Sequence, residues 1–181
     1  MPSLPPRFAL AISRDDSKNG FGGSLAIGGI PEPTDPHINA TESYFNAPFD
    51  LANPSGVAYT WYAIQLDGLY TDGSHYDQVQ ILIDSGNPWL QLPSDFATAY
   101  NGLWGVKSDG SVDCSAVPAD LWIGVGGGLL YINPVDLIKP DSNGNCLSAV
   151  LPVTAGGKYW LGDPFLKNVI ALFDWGNQAM E

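Results

Sequence analysis

The chain has 181 residues, enough for one substantial core, and its 45% hydrophobic and 14% charged residues describe a globular and not a disordered polymer. Nineteen Asp and Glu stand against seven Lys and Arg, a formal charge of −12. That balance argues against nucleic acid and anionic membrane surfaces as partners, and no apolar run approaches the roughly 20 residues that span a bilayer.

Met1 to Arg7 has no basic region followed by an apolar stretch and does not read as a secretory signal. Short β-rich segments then alternate with glycine and proline throughout, an all-β pattern. Phe8–Ser13 and Gly23–Gly28 predict a hairpin around the polar Arg14–Gly20 loop. The proline-rich stretch from Pro31 to Gly56 reads as a long surface loop or a loosely packed strand, and it carries a glycosylation sequon, Asn39-Ala40-Thr41. Tyr59–Leu66 has the aromatic and β-branched content of a strand, with Asp67-Gly68 as a turn signal after it.

Val79–Asp84 is a further strand, and Ser94–Tyr100 reads as a short helix with Ser94 as its N-cap. Leu121–Val125 and Leu129–Ile132 predict a hairpin across Gly126-Gly127-Gly128. Asp163–Lys167 reads as a second short helix, Asp163 capping it and Pro164 in the first helical position. Val169–Asp174 is a strand, Trp175-Gly176-Asn177 a turn, and Gln178–Glu181 the start of a final strand. There is no internal repeat or linker.

Several chemistries are set aside on these residues. Gly124–Gly128 lacks the following helix and the lysine of a phosphate-binding loop, so a hairpin turn is expected there. No G-x-S-x-G elbow supports a serine hydrolase. Cys114 and Cys146 are widely spaced, and His37 and His75 lie far from both, too few ligands for zinc. The cysteines are two free thiols or one disulfide; composition does not choose.

Gln80-Ile81-Leu82-Ile83-Asp84-Ser85-Gly86 stands apart. An apolar run of this kind should be buried, and a lone carboxylate at its end costs several kcal/mol unless partnered. Around it the chain reads Ile81-Leu82-Ile83-Asp84-Ser85-Gly86-Asn87-Pro88-Trp89-Leu90-Gln91-Leu92-Pro93-Ser94. That order, apolar strand, D-[ST]-G, polar pair, apolar–x–apolar–Pro and helix, resembles the C-terminal lobe of a pepsin-like aspartic peptidase. Gly23–Ile30 is similar to the family's G-x-L-x-x-G-G-I hairpin, and Tyr59–Ile64 to its Y-W-x-I strand. Trp160–Leu166 with the strand ending Leu172-Phe173-Asp174 resembles the family's closing L-G-D-x-F-[LI] loop and V-F-D strand.

The resemblance implies an all-β lobe spanning residues 1–181, built of barrel-like orthogonal sheets with one or two short helices. It implies a Cys114–Cys146 disulfide, an oxidising compartment (secreted or vacuolar/lysosomal) and no metal or organic cofactor. The implied activity is acid hydrolysis of a polypeptide substrate by two aspartates, of which Asp84 is one. Ser85 would tie the two active-site loops together, Gly86 would let its backbone approach the carboxylate, and Leu82, Asn87 and Pro88 would line substrate pockets. The sequence departs from the pattern at Asn87-Pro88, where the family has Thr, Ser or Ala after the glycine.

A second D-[ST]-G does not occur; Asp72-Gly73-Ser74 and Asp109-Gly110-Ser111 reverse the order and read as turns. The chain therefore reads as lacking the N-terminal lobe and the end of the last strand. Three expectations follow. It is one lobe of a two-lobe enzyme, or two copies pair and share Asp84, or it is a non-catalytic binding or inhibitor module.

Overall fold

The computed structural model describes residues 4–14, 22–31, 47–48, 62–154 and 156–181. Strands β1 (Arg7–Ile12) and β2 (Gly23–Ile27) form the first hairpin, and β3 (Ala47–Pro48) follows. Strands β4 (Ala63–Thr71) and β5 (Ser74–Ile83) form a long second hairpin; β6 (Leu90–Pro93) leads into helix α1 (Ser94–Leu103). Then come β7 (Ser111–Val112), the hairpin of β8 (Leu121–Val125) and β9 (Gly128–Tyr131), a 3-10 turn (Pro134–Asp136) and β10 (Ile138–Pro140). The chain closes with β11 (Cys146–Ser148), β12 (Val150–Val153), β13 (Trp160–Leu161), α2 (Asp163–Leu166), β14 (Ile170–Asp174) and β15 (Ala179–Met180). The expected all-β architecture with two short helices is what these elements make.

They assemble into a seven-stranded sheet (β12-β6-β13-β5-β4-β8-β9), a five-stranded sheet (β2-β1-β14-β15-β3) and a three-stranded one (β10-β11-β7). Ile64, Leu66 and Leu69 of β4, Ile81 and Ile83 of β5, Leu90 and Leu92 of β6 and Ile123 of β8 project into one core. Phe96 and Tyr100 of α1 and Phe165 of α2 cover it. Tyr100 is fully buried and donates its hydroxyl to the Ala119 carbonyl at 2.7 Å, so its polar end is satisfied. Burial pushes its phenol well above the usual range. Ser148 and Asn101 bond each other at 2.8 Å, and Asn101 also donates to the Val150 carbonyl, fastening α1 to β11 and β12.

Three expectations about local structure are corrected. Asp67-Gly68 is not a turn: β4 runs through it to Thr71, and the turn falls at Asp72-Gly73. Gly68 is in the strand because Tyr70's ring and the Tyr76 carbonyl leave no room for a Cβ there. Ser94 is the first residue of α1, with Pro93 at the cap and no side-chain cap bond. Asp163 is likewise inside α2, with Gly162 at the cap. The Asp72-Gly73-Ser74 and Asp109-Gly110-Ser111 turns and the Gly126-Gly127 hairpin turn form as expected, both of the last two glycines having positive φ. His37, the Asn39 sequon, Tyr59–Trp61 and most of Pro31–Gly56 lie outside the described residues; within that stretch Ala47–Pro48 pairs with β15.

Cys114 and Cys146 are bonded, with Cα atoms 5.2 Å apart, so the disulfide that the resemblance implied is present. It ties the loop after β7 to β11 across 32 residues of separation. The loops beside it bond their own backbone. Asp109, Asp113 and Asp141 accept from amides two residues on, and those hydrogen bonds, chiefly from the Ser and Asn side chains and backbones, hold all three carboxyls below their ordinary value. Their contribution is therefore kept into acid and lost only as pH falls through the lowered values. Replacing both Cys114 and Cys146 by Ser is expected to lower the unfolding free energy by about 3–4 kcal/mol, the loop-closure value for this span, measured by urea titration under non-reducing conditions.

Candidate active site

Asp84 follows the last residue of β5, where the strand leaves the sheet. Tyr159 and Trp160 run alongside: Leu82 N–H donates to the Tyr159 carbonyl at 3.0 Å, and Asp84 N–H donates to the Leu161 carbonyl at 3.0 Å. Two residues of β13 thus sit between β5 and β6, parallel to the first and antiparallel to the second. The loop that leaves β5 must pass over that inserted strand to reach β6. The passage is held by backbone bonds: Gly162 N–H donates to Trp89 O at 3.1 Å and Asp163 N–H to Asn87 O at 2.8 Å.

Gly162 is where the two loops touch. A Cβ there would lie 1.9 Å from the Asn87 carbonyl oxygen and 2.6 Å from that of Trp89. No rotamer relieves a clash with backbone, so only glycine fits.

Within the loop, Gly86 N–H donates to Asp84 Oδ1 at 2.8 Å, and Asn87 N–H to the Asp84 carbonyl at 3.2 Å. A Cβ on Gly86 would stand 3.3 Å from the same carboxylate oxygen, tighter than most contacts. Glycine lets the amide come close. Asp84 is half-buried, while Ser85, Gly86 and Pro88 are exposed. The carboxylate therefore has an ordered orientation and partial access to solvent.

Asn87 is spent inside the loop. Its Oδ1 accepts from Trp89 N–H at 3.1 Å, an Asx turn, and its amide donates to Gln91 Oε1 at 3.1 Å. Pro88 fixes the residue between and has no N–H to satisfy. Leu82 pairs across the sheet with Ala63 and Trp160 and keeps only 6% of its surface exposed.

One residue the sequence reading did not single out belongs here. Lys139 of β10 donates to the Pro88 carbonyl at 2.8 Å, and its ammonium lies 5.1 Å from the centre of the Trp89 ring. Desolvation lowers its pKa, opposed by Asp163 and Asp136. The contact spans 51 residues of sequence, and no local signal marks it. A separate open cleft of about 670 Å³ lies between Tyr76, Asp95, Val153 and Tyr159; none of Leu82–Pro88 lines it.

Residues 6–181 match the family model of eukaryotic aspartyl proteases. The chain is similar to a probable aspartic-type endopeptidase of Aspergillus fumigatus, 32% identical over 98% of this chain and 44% of that protein. It is also similar to aspartic protease 6 of Caenorhabditis elegans, 27% identical over 97% of this chain and 44% of the relative. The aspartic-type endopeptidase ctsD of A. fumigatus is 29% identical over 75% of this chain and 30% of its own length. The chain thus spans less than half the length of these curated relatives.

Two substitutions separate the roles in the loop. Gly162→Ala is expected to cost about 3 kcal/mol or more, since backbone must move, whereas Asn87→Ala should cost about 1 kcal/mol for its lost hydrogen bonds. Urea unfolding midpoints of the two variants check the order.

Proposed function

The chain belongs to the eukaryotic aspartyl protease family, and we propose that it supplies one half of an acid endopeptidase site, with Asp84 as one carboxylate of the catalytic pair. The observation that carries this reading is the set of bonds on Asp84. Its amide is anchored to Leu161, one carboxylate oxygen is held by Gly86, and the residue is only half-buried beside the exposed Ser85 and Gly86.

In this family's chemistry two such carboxylates lie so close that they share one proton, because both cannot ionise together. The ionised one takes a proton from a bound water as that water attacks the scissile carbonyl carbon. The protonated one donates toward the carbonyl oxygen. The tetrahedral intermediate then collapses with the proton passing to the leaving amine. This chain contributes one Asp-Ser-Gly, so the second carboxylate comes from a partner lobe. The substrate is a polypeptide laid between the lobes, with Asn87 and Pro88 on its path; Leu82 would reach it only through the small part of its surface left open. Ser85, exposed in this loop, would tie it to the partner loop. The disulfide supports an oxidising compartment, secreted or vacuolar/lysosomal.

A second reading rests on Asn87. At the position after the glycine, where a hydroxyl would face the aspartate, its amide is turned to Trp89 and Gln91. That favours a non-catalytic module that keeps the fold.

The readings separate in a chimera in which this chain replaces the segment of the A. fumigatus relative that it matches. A quenched peptide at acid pH should be cleaved by the chimera, blocked by pepstatin and not cleaved by its Asp84→Asn variant, with a loss of about 10⁴-fold or more. A folded chimera without activity would assign the chain to the non-catalytic reading. The chain by itself is expected to cleave nothing; pepstatin-sensitive cleavage by the chain alone would mean that two copies complete the site.

A further inference from the structure

Four strands place an aromatic row on the side of the large sheet that faces away from the core. His75 of β5 is paired with Tyr70 of β4, Tyr70 with Trp122 of β8, and Trp122 with Tyr131 of β9. Their chain neighbours Thr71, Leu121, Ile123 and Ile132 are buried, so alternation sends these four outward. At about 4.8 Å per strand the row is about 14 Å long.

The rings are supported from beneath. Tyr70 and His75 stack at 6.4 Å with planes 18° apart, and Trp122 meets Tyr131 at 5.6 Å. The next residues on the same face include Gly68 and Gly124, which pair with each other in mid-sheet. A Cβ on Gly68 would stand 2.8 Å from the Tyr70 hydroxyl, and one on Gly124 would stand 3.0 Å from its Cε2. Two glycines in strand interiors weaken a sheet. Here they let one ring lie flat against it. Tyr131 is 44% exposed and Leu129, on the same side, 60% exposed.

The rim is acidic. Asp120 accepts from the Tyr131 hydroxyl at 2.8 Å, Asp67 accepts from Gly127 N–H at 2.7 Å, and Asp77, almost fully exposed, has its Oδ1 3.6 Å from His75 Nε2 of the row. The sequences of β4, β5, β8 and β9 contain no Lys or Arg; between Lys18 and Lys139 the chain has one, Lys107. Aromatic faces bordered by carboxylates, on strands without Lys or Arg, are complementary to guanidinium groups, which stack on rings and pair with acids at their edges.

We propose that this face is a docking surface for an arginine-rich polypeptide segment. It is independent of the Asp84 site and of the reading of that site.

Fluorescein-labelled hexa-arginine, titrated with the folded chain near neutral pH and low ionic strength, is the probe, read by anisotropy. Saturable binding is expected. It should weaken at least about tenfold in Trp122→Leu/Tyr131→Leu, which removes rings and no charge. Asp77→Asn, at an exposed carboxylate that does not hold the fold, should weaken it about threefold, while Asp109→Asn, in the turn before β7, should not change it. Asp77→Asn keeps the test decisive if the double variant fails to fold. Three results would overturn the proposal: no binding, equal loss from Asp77→Asn and Asp109→Asn (attraction to the net charge alone), or binding of neutral cellohexaose in place of the peptide.

Discussion

The contact at Gly162 is the constraint from which the rest of the site follows. Two loops that are remote in sequence cross with their backbones nearly touching, and three amides fix the crossing: Asp84 to Leu161, Gly162 to Trp89 and Asp163 to Asn87. Each bond uses a group that would otherwise be left unpaired where the strands part. The crossing exists because β13 is inserted between β5 and β6, which are consecutive in sequence. The core beneath, from Ile81 and Ile83 to Leu90, Leu161 and Phe165, keeps those strands in register.

That arrangement explains why Asp84 can be oriented without a partner. Its main chain is anchored by the sheet and its carboxylate by the amide of Gly86, so the orientation of Asp84 is set within this chain. Asn87, Pro88 and Lys139 then shape the segment that follows. The departure from the family pattern at Asn87 has a physical use: it holds the loop in an Asx turn.

Much of this was legible in the residues. The apolar strand ending in Asp84-Ser85-Gly86, the helix after Pro93, the glycine turn after Val125 and the Leu161-Gly162-Asp163 loop each carry local signals. The errors share a cause. Asp67-Gly68 has turn composition, but the ring of Tyr70 demands the glycine within a strand. Ser94 and Asp163 are good caps by type, yet Pro93 and Gly162 reach the helix starts first because the preceding strands end there. The insertion of β13, the hold of Lys139 on Pro88 and the aromatic row are pairings between distant segments. No window of sequence contains them.

The most direct test of self-supported geometry is amide hydrogen exchange in the isolated chain, resolved residue by residue by NMR. Asp84, Gly162 and Asp163 should exchange as slowly as core strand amides such as Ile123, while Ser85, exposed in the same loop, exchanges fast. Free-peptide exchange at Asp84, Gly162 and Asp163 in an otherwise protected sheet would contradict the account. It would mean that the loop is ordered only when something else is added.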